Sequence, residues 1–223
     1  MVHPVYLFFV FFLFYFYIFI IIKILLWNCR GYKNKKQELS RNVDGYDVIV
    51  LMETKCPHNS GVYISGYRTY QISRGSLRVN DFRPLFDFDP GGCESIFLGD
   101  FNAHNTLWNC EYMDTIGESL QEAMERRDFM CVNMDTSSRI GAIGERDSNL
   151  DLLFCSAVLD NIEYNQLDDT WDSDHFPIVF KLATHRGIYS KRTNRITTKK
   201  TDWNKYAVSH IWLNALLLKH GRE

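Results

Sequence analysis

Short apolar runs that stop abruptly on a polar residue recur along this chain. Ile22–Asn28 and Val48–Glu53 are rich in aliphatic and β-branched residues and close on an amide and a carboxylate, as buried strands do where they reach the rim of a sheet. Ile96–Asp100 repeats the pattern after the turn pair Gly91-Gly92, and Leu150–Phe154 and Phe176–Leu182 add two further runs. Lys33–Asn42 is polar and reads as helix or loop. Within Gly117–Phe129, Leu120, Ala123 and Met124 fall at helical spacing while Glu118, Glu122, Glu125 and Arg126 take the other faces, which predicts an amphipathic helix. Strands interleaved with such segments place the chain in the α/β class.

Both ends break the pattern. Val5–Ile22 is an uncharged run of eighteen apolar or aromatic residues, seven of them Phe. Its length suits a membrane anchor, with Lys23, Arg30, Lys33, Lys35 and Lys36 holding the following chain in the cytosol. Its narrow alphabet of Phe, Tyr and Ile equally suits translation of thymine- and adenine-rich DNA from a misplaced start, which would leave the protein in the nucleus or cytoplasm. It lacks the basic start and small-residue cleavage site of a signal peptide. At the other end, His185–Lys200 carries six Lys or Arg and no acid, the mark of a solvated linker, and Trp203–Leu218 reads as a short amphipathic helix. The expected division is an apolar segment 1–22, a catalytic-type domain 23–184, and a basic linker with helical tail 185–223.

Composition adds few constraints. A formal charge of −2 lacks the strong basic excess of a protein held to nucleic acid by phosphate neutralisation alone, yet carboxylates that bind a metal would mask such an excess. The six cysteines show neither C-x-x-C pairs nor regular spacing, which argues against a zinc site and against a disulfide framework.

The strand ends carry the chemistry. Asn28 closes Leu26-Trp27-Asn28, Glu53 closes Leu51-Met52-Glu53, and Asp100 with Asn102 closes Gly99-Asp100-Phe101-Asn102-Ala103-His104. Asp151 lies in Ser148-Asn149-Leu150-Asp151, and Asp174 and His175 open the last strand in Ser173-Asp174-His175-Phe176-Pro177-Ile178. Residues i and i+2 of a strand share a face, so Asn28 should point with Leu26 and Ile24, Glu53 with Leu51 and Ile49, and Asp100 and Asn102 with Leu98. Each strand then buries an apolar row and presents one polar group at a common rim. Carboxylate, amide and imidazole at one rim supply what phosphodiester hydrolysis requires: oxygen ligands for a hard cation, a base for water, and a donor to the phosphate. Taken singly, each group has a plainer reading as a turn residue, a cap or a structural hydrogen-bonding pair.

In order, these five segments resemble the endonuclease/exonuclease/phosphatase superfamily, which includes deoxyribonucleases and apurinic-site endonucleases. Trp108, Gly117 and Asn133 at their spacings after Asp100, together with Ser148-Asn149-Leu150-Asp151-Leu152-Leu153-Phe154, bring the chain closest to the endonuclease domains of non-LTR retrotransposons. The resemblance spans residues 23–182 and implies the four-layer α/β sandwich of that superfamily acting on the DNA phosphodiester backbone with Mg²⁺ or Mn²⁺. It implies that Glu53 binds the metal with help from Asn28, and that Asp174 supports the metal side. It further implies that Asp100 activates water with Asn102 positioning it, and that His175 contacts the scissile phosphate with Asp151 fixing its tautomer. His104 is read as structural.

One departure matters: only two dozen residues separate Arg74 from Gly99, where the family holds a Gly-rich turn, central strands and an active-site tyrosine. The expected sandwich is therefore truncated between the second and third motif strands. A non-catalytic remnant, and a membrane-anchored phosphodiesterase of the same fold, stand as rivals to a DNA-nicking enzyme.

Overall fold

The computed structural model describes residues 19–57, 61–71, 82–87, 95–156, 159, 161–185 and 215–219. In chain order the elements are β1 (Phe19–Asn28), α1 (Tyr32–Asn42), β2 (Val48–Met52), β3 (Tyr67–Gln71), α2 (Arg83–Phe86), β4 (Ile96–Asp100), a 3₁₀ turn (Thr106–Trp108), α3 (Thr115–Glu125), β5 (Phe129–Cys131), β6 (Asp151–Ser156), β7 (Ile162–Gln166), β8 (Ile178–His185) and β9 (Ala215–Lys219). They form two sheets among the described residues. The larger has the order β3-β9-β2-β1-β8-β7, and the smaller has β4-β6-β5. Among the described strands only β1 and β2 run parallel, in a register that sets Asn28 beside Met52; β1 meets β8 antiparallel.

Strand alternation sorts the apolar side chains into layers. Leu25, Trp27, Ile49 and Leu51 face outward from the larger sheet and pack with Tyr32 and Leu39 of α1. Ile24, Leu26, Val50, Met52, Ile178 and Phe180 face inward and meet Leu153 and Cys155 of the smaller sheet, with Ile96 and Leu98 beside them. The outer face of the smaller sheet packs Phe97, Leu152 and Phe154 against Leu85, Phe86, Leu120, Ala123 and Met124 of α2 and α3. Helix, sheet, sheet and helix thus stack in four layers, the sandwich expected from the sequence. Each fully buried large side chain in these layers contributes roughly 1.5–3 kcal/mol.

Local signals explain several elements. Asp114 caps α3 by accepting from the Gly117 amide at 2.6 Å. A Cβ on Gly117 would lie 1.9 Å from the His104 carbonyl oxygen, so the loop after β4 approaches α3 at a distance only glycine permits. His104 sets its Nδ1 3.2 Å from Oδ2 of Asp114, the residue that caps α3.

Several placements differ from the sequence expectation. β1 begins at Phe19, so the last four residues of the apolar run pair with Leu182–His185 as sheet rather than closing a membrane helix. The rest of that run lies outside the described residues, and no described helix is long and apolar enough to cross a membrane. Strands β3, β5 and β7 have no counterpart among the expected runs, although in β7 Ile162 and Tyr164 alternate with exposed Glu163 and Asn165. Finally, Ala215–Lys219, expected in a helical tail beyond a boundary at 184, is a strand of the larger sheet. Its run of Ala215 and three leucines fits helix and strand alike, and the open backbone edges of β2 and β3 decide for strand. Residues 203–214 lie outside the described residues.

Because β1 supplies its own pairing from Phe19 onward, removing residues 1–18 should leave the far-ultraviolet circular dichroism and melting temperature unchanged. A large drop in melting temperature would assign that segment to the core.

Candidate active site

Three chain segments far apart in sequence end at the same rim. Asn28 follows Ile24 and Leu26 on the inward face of β1, Asp100 follows Ile96 and Leu98 on β4, and Asp151 begins the inward row of Leu153 and Cys155 on β6. The β4–β6 register sets Asp100 directly opposite Asp151. Asn28 Nδ2 donates to Asp100 Oδ2 at 2.8 Å. His175, on the segment entering β8, sets Nδ1 2.6 Å from Asp151 Oδ2, and both side chains are almost wholly buried. One ligand atom each from Asp100, Asp151 and His175 lies within 4.8 Å of the others.

This group is held from behind. The Ser138 hydroxyl accepts from the amides of Leu150 and Asp151, both at 2.9 Å. Asn133 Nδ2 donates to the Asp151 carbonyl at 2.8 Å. The Phe176 amide donates to the Ser138 carbonyl, which ties the His175 segment to the same support. Trp27 Nε1 donates to the His175 carbonyl at 3.1 Å, and Ser173 Oγ donates to the Asn28 carbonyl at 2.7 Å. Backbone and side chains therefore fix the imidazole relative to β1, β4 and β6 together. Ser138 and Trp27 carried no chemical signal in the sequence, and only the fold shows their part.

The electrostatics follow from burial and like charge. Burial, then the neighbouring Asp151 carboxylate, pushes the Asp100 carboxyl up to about 7, against the lowering effect of His175 and of the bond from Asn28. For His175, burial opposes the imidazolium. The hydrogen bond and charge of Asp151, with Asp100 and Asp174, outweigh it and raise the imidazole above its ordinary value.

The remaining candidates form a second cluster. Arg30 Nη1 lies 2.6 Å from Asp174 Oδ2 and its Nε 3.9 Å from Glu53 Oε2. Lys55 Nζ is also 3.9 Å from Glu53, and Arg139 Nε 3.9 Å from Asp174. Glu53 does not point with Ile49 and Leu51 as alternation required. Those two face the α1 layer, whereas the left-handed φ of 48° at Glu53 takes its side chain out of the strand's rhythm and towards Arg30. Asn102, at φ 47°, likewise leaves the face of Leu98; its amide nitrogen donates to Asp100 Oδ1 at 3.0 Å, and its side chain is exposed. Arg30 and Lys55 share this conformation at 44° and 51°. Four non-glycine residues in a sparsely populated region at one rim is the kind of strain that collects at functional sites.

The donor set fits a hard cation. Glu53, Asn28, Asp174 and Asp100 offer oxygens, and the buried Oδ1 atoms of Asp151 and Asp174 have no hydrogen-bond partner. The nearby Cys29 thiol is pushed up to about 11 by burial and donates to the Met52 carbonyl.

Residues 62–179, 118 of the 223, match the family described as endonuclease-reverse transcriptase. The chain belongs to that family. The matched segment contains Asp100, Asn102, Asp151, Asp174 and His175 and leaves Asn28 and Glu53 just upstream. Among solved structures, the endonuclease domain of TRAS1, a telomere-specific non-LTR retrotransposon, superposes with a TM-score of 0.55 at 16% identity, covering 73% of this chain and 98% of that one. That likeness establishes the fold of a retrotransposon endonuclease domain, as the motif order implied. No curated protein sequence matches the chain.

Proposed function

We propose that the chain is a divalent-cation-dependent endonuclease that nicks DNA by hydrolysing its phosphodiester backbone. The observation that carries this reading is the buried Asp151–His175 pair set beside Asp100, three groups contributed by separate segments. Asp151 accepts from Nδ1 and so fixes the tautomer and ring plane of His175. That carboxylate raises the affinity of the ring for its second proton, and in the imidazolium form Nε2–H is the donor to a non-bridging phosphate oxygen. Asp100 takes a proton from the attacking water; a carboxyl near 7 is matched to that task at neutral pH. Asn102, at the loop after β4, orients the water or the phosphate. Glu53 and Asn28 would hold Mg²⁺ or Mn²⁺ with Asp174 in support, and the bound ion would neutralise charge at the phosphate as a Lewis acid.

A second reading, a remnant with little or no activity, has its own observation. The smaller sheet has three strands among the described residues against six in the larger, and no tyrosine occurs between Tyr70 and Tyr112 to fill the family's expected role. Conversion of supercoiled plasmid to open circles by the full chain separates the two. The endonuclease reading expects nicking with Mg²⁺ or Mn²⁺ that stops on addition of chelator. Supercoiled plasmid left intact by a folded chain with Mn²⁺ would establish the remnant, and nicking that survives chelation would overturn the metal assignment.

A further inference from the structure

Three cations stand by the rim carboxylates, and among the described residues Arg30 is the one that approaches both Glu53 and Asp174. Arg30 spans Glu53, at the end of β2, and Asp174, on the segment entering β8, within a single guanidinium. Its backbone is committed to that position: the Arg30 amide donates to Asn28 Oδ1 at 3.2 Å, its φ is 44°, and Gly31 at φ 121° completes the turn into α1. Its side chain remains 43% exposed and so has room to swing away. Asp174 uses one oxygen for Arg30, while its other oxygen is buried without a partner.

We propose that Arg30 is a built-in counterion of the cation site. It occupies the space between Glu53 and Asp174 in the metal-free protein, competes with the ion for the same oxygens, and thereby sets the affinity for the metal. The inference rests on the metal-binding reading above. Two carboxylates left facing each other at a half-buried rim repel, and a guanidinium hydrogen-bonded to one and close to the other relieves this. A guanidinium stays charged at any working pH, so it cannot make way by losing a proton and must leave the carboxylates physically when the ion enters. Lys55 lies as near Glu53 as Arg30 does and Arg139 lies 3.9 Å from Asp174, but each reaches a single carboxylate and supplies background charge.

The test is a Mn²⁺ titration by calorimetry on the full chain, its Arg30→Gln and Arg30→Lys variants, and Arg126→Gln. Arg126 pairs with Asp87 elsewhere and controls for the loss of one surface charge. Arg30→Gln should bind Mn²⁺ about tenfold more tightly than the parent, since a cation touching the site is removed. Without metal it should melt at a lower temperature, and Mn²⁺ should raise its melting temperature more than that of the parent. Arg126→Gln should stay within about twofold of the parent. Arg30→Lys keeps the charge and should fall between parent and Arg30→Gln, which preserves the test if the glutamine variant folds poorly. Equal or weaker Mn²⁺ binding by a folded Arg30→Gln, or equal tightening by Arg30→Lys and Arg30→Gln, would overturn the proposal while leaving the metal reading intact. A parent chain that binds no Mn²⁺ would overturn both.

Discussion

Replacing Asp100 by Asn should abolish nicking and, in the metal-free protein, raise the melting temperature. The carboxyl is the group placed to take the proton from water, and loss of a positioned general base costs typically 10²–10⁴-fold in rate. The amide cannot accept that proton, yet its oxygen can still take the bond that Asn28 Nδ2 makes to Oδ2. Stability moves the other way because the folded site resists ionisation. Burial and Asp151 raise the carboxyl from 3.8 to about 7. Below pH ~4 both folded and unfolded chains carry a neutral acid, and parent and variant should differ little. As pH rises towards 7 the unfolded chain ionises freely while the folded one holds its proton. Stability of the parent therefore falls through this window, and the deficit is complete above it. A tenfold change in proton affinity is worth about 1.4 kcal/mol, and solvent reaching the rim reduces the realised penalty to about 1–3 kcal/mol. The variant should thus melt roughly 3–8 °C above the parent at pH 8, and close to it at pH 4. Differential scanning calorimetry in chelator at the two pH values measures this. A variant that melts lower than the parent at pH 8 would show that Asp100 supports the fold rather than straining it.

Ending the chain at His185 should cost a large part of its stability. β9 lies between β2 and β3, pairing Val48–Leu51 on one side and Tyr67–Gln71 on the other. Among the described residues β3 has no other neighbour in the sheet, and β2, which carries Glu53 beyond its last residue, would become an open edge. At a net 0.5–1.5 kcal/mol per backbone hydrogen bond, the lost ladders amount to roughly 4–10 kcal/mol, comparable with the whole stability of a typical domain. The truncated chain should melt at least about 10 °C lower or without a cooperative transition. A synthetic peptide of residues 210–223 added in trans should restore part of the transition by adding its strand to the vacated slot. Equal melting temperatures for the full and truncated chains would show that β9 contributes nothing to the sheet.

Motif order in the sequence led to the right fold because each strand's signal is local. A run such as Ile24–Asn28 alternates by backbone geometry alone, so Leu26 and Asn28 share the inward face whatever surrounds them. The same rule placed Asp100 with Leu98, and Asp100 meets Asp151 and His175 at the rim. It failed at Glu53 and Asn102, each one step past a strand end, where left-handed φ values turn the side chains out of the alternation. Nothing in a strand pattern signals where that rhythm stops.

Long-range placement was likewise beyond the sequence. Arg30 reads as one cation in a polar turn, and its span between Glu53 and Asp174 exists only because β2 and the segment before β8 flank the same turn. Ala215–Lys219 satisfies helix and strand patterns alike, so the choice falls to the unpaired backbone groups of β2 and β3. A strand taken up from far along the chain satisfies those groups where a helix would leave them bare. The sequence by itself determined which chemical groups close the strands; the tertiary structure decided which of them touch, and which cation stands among them.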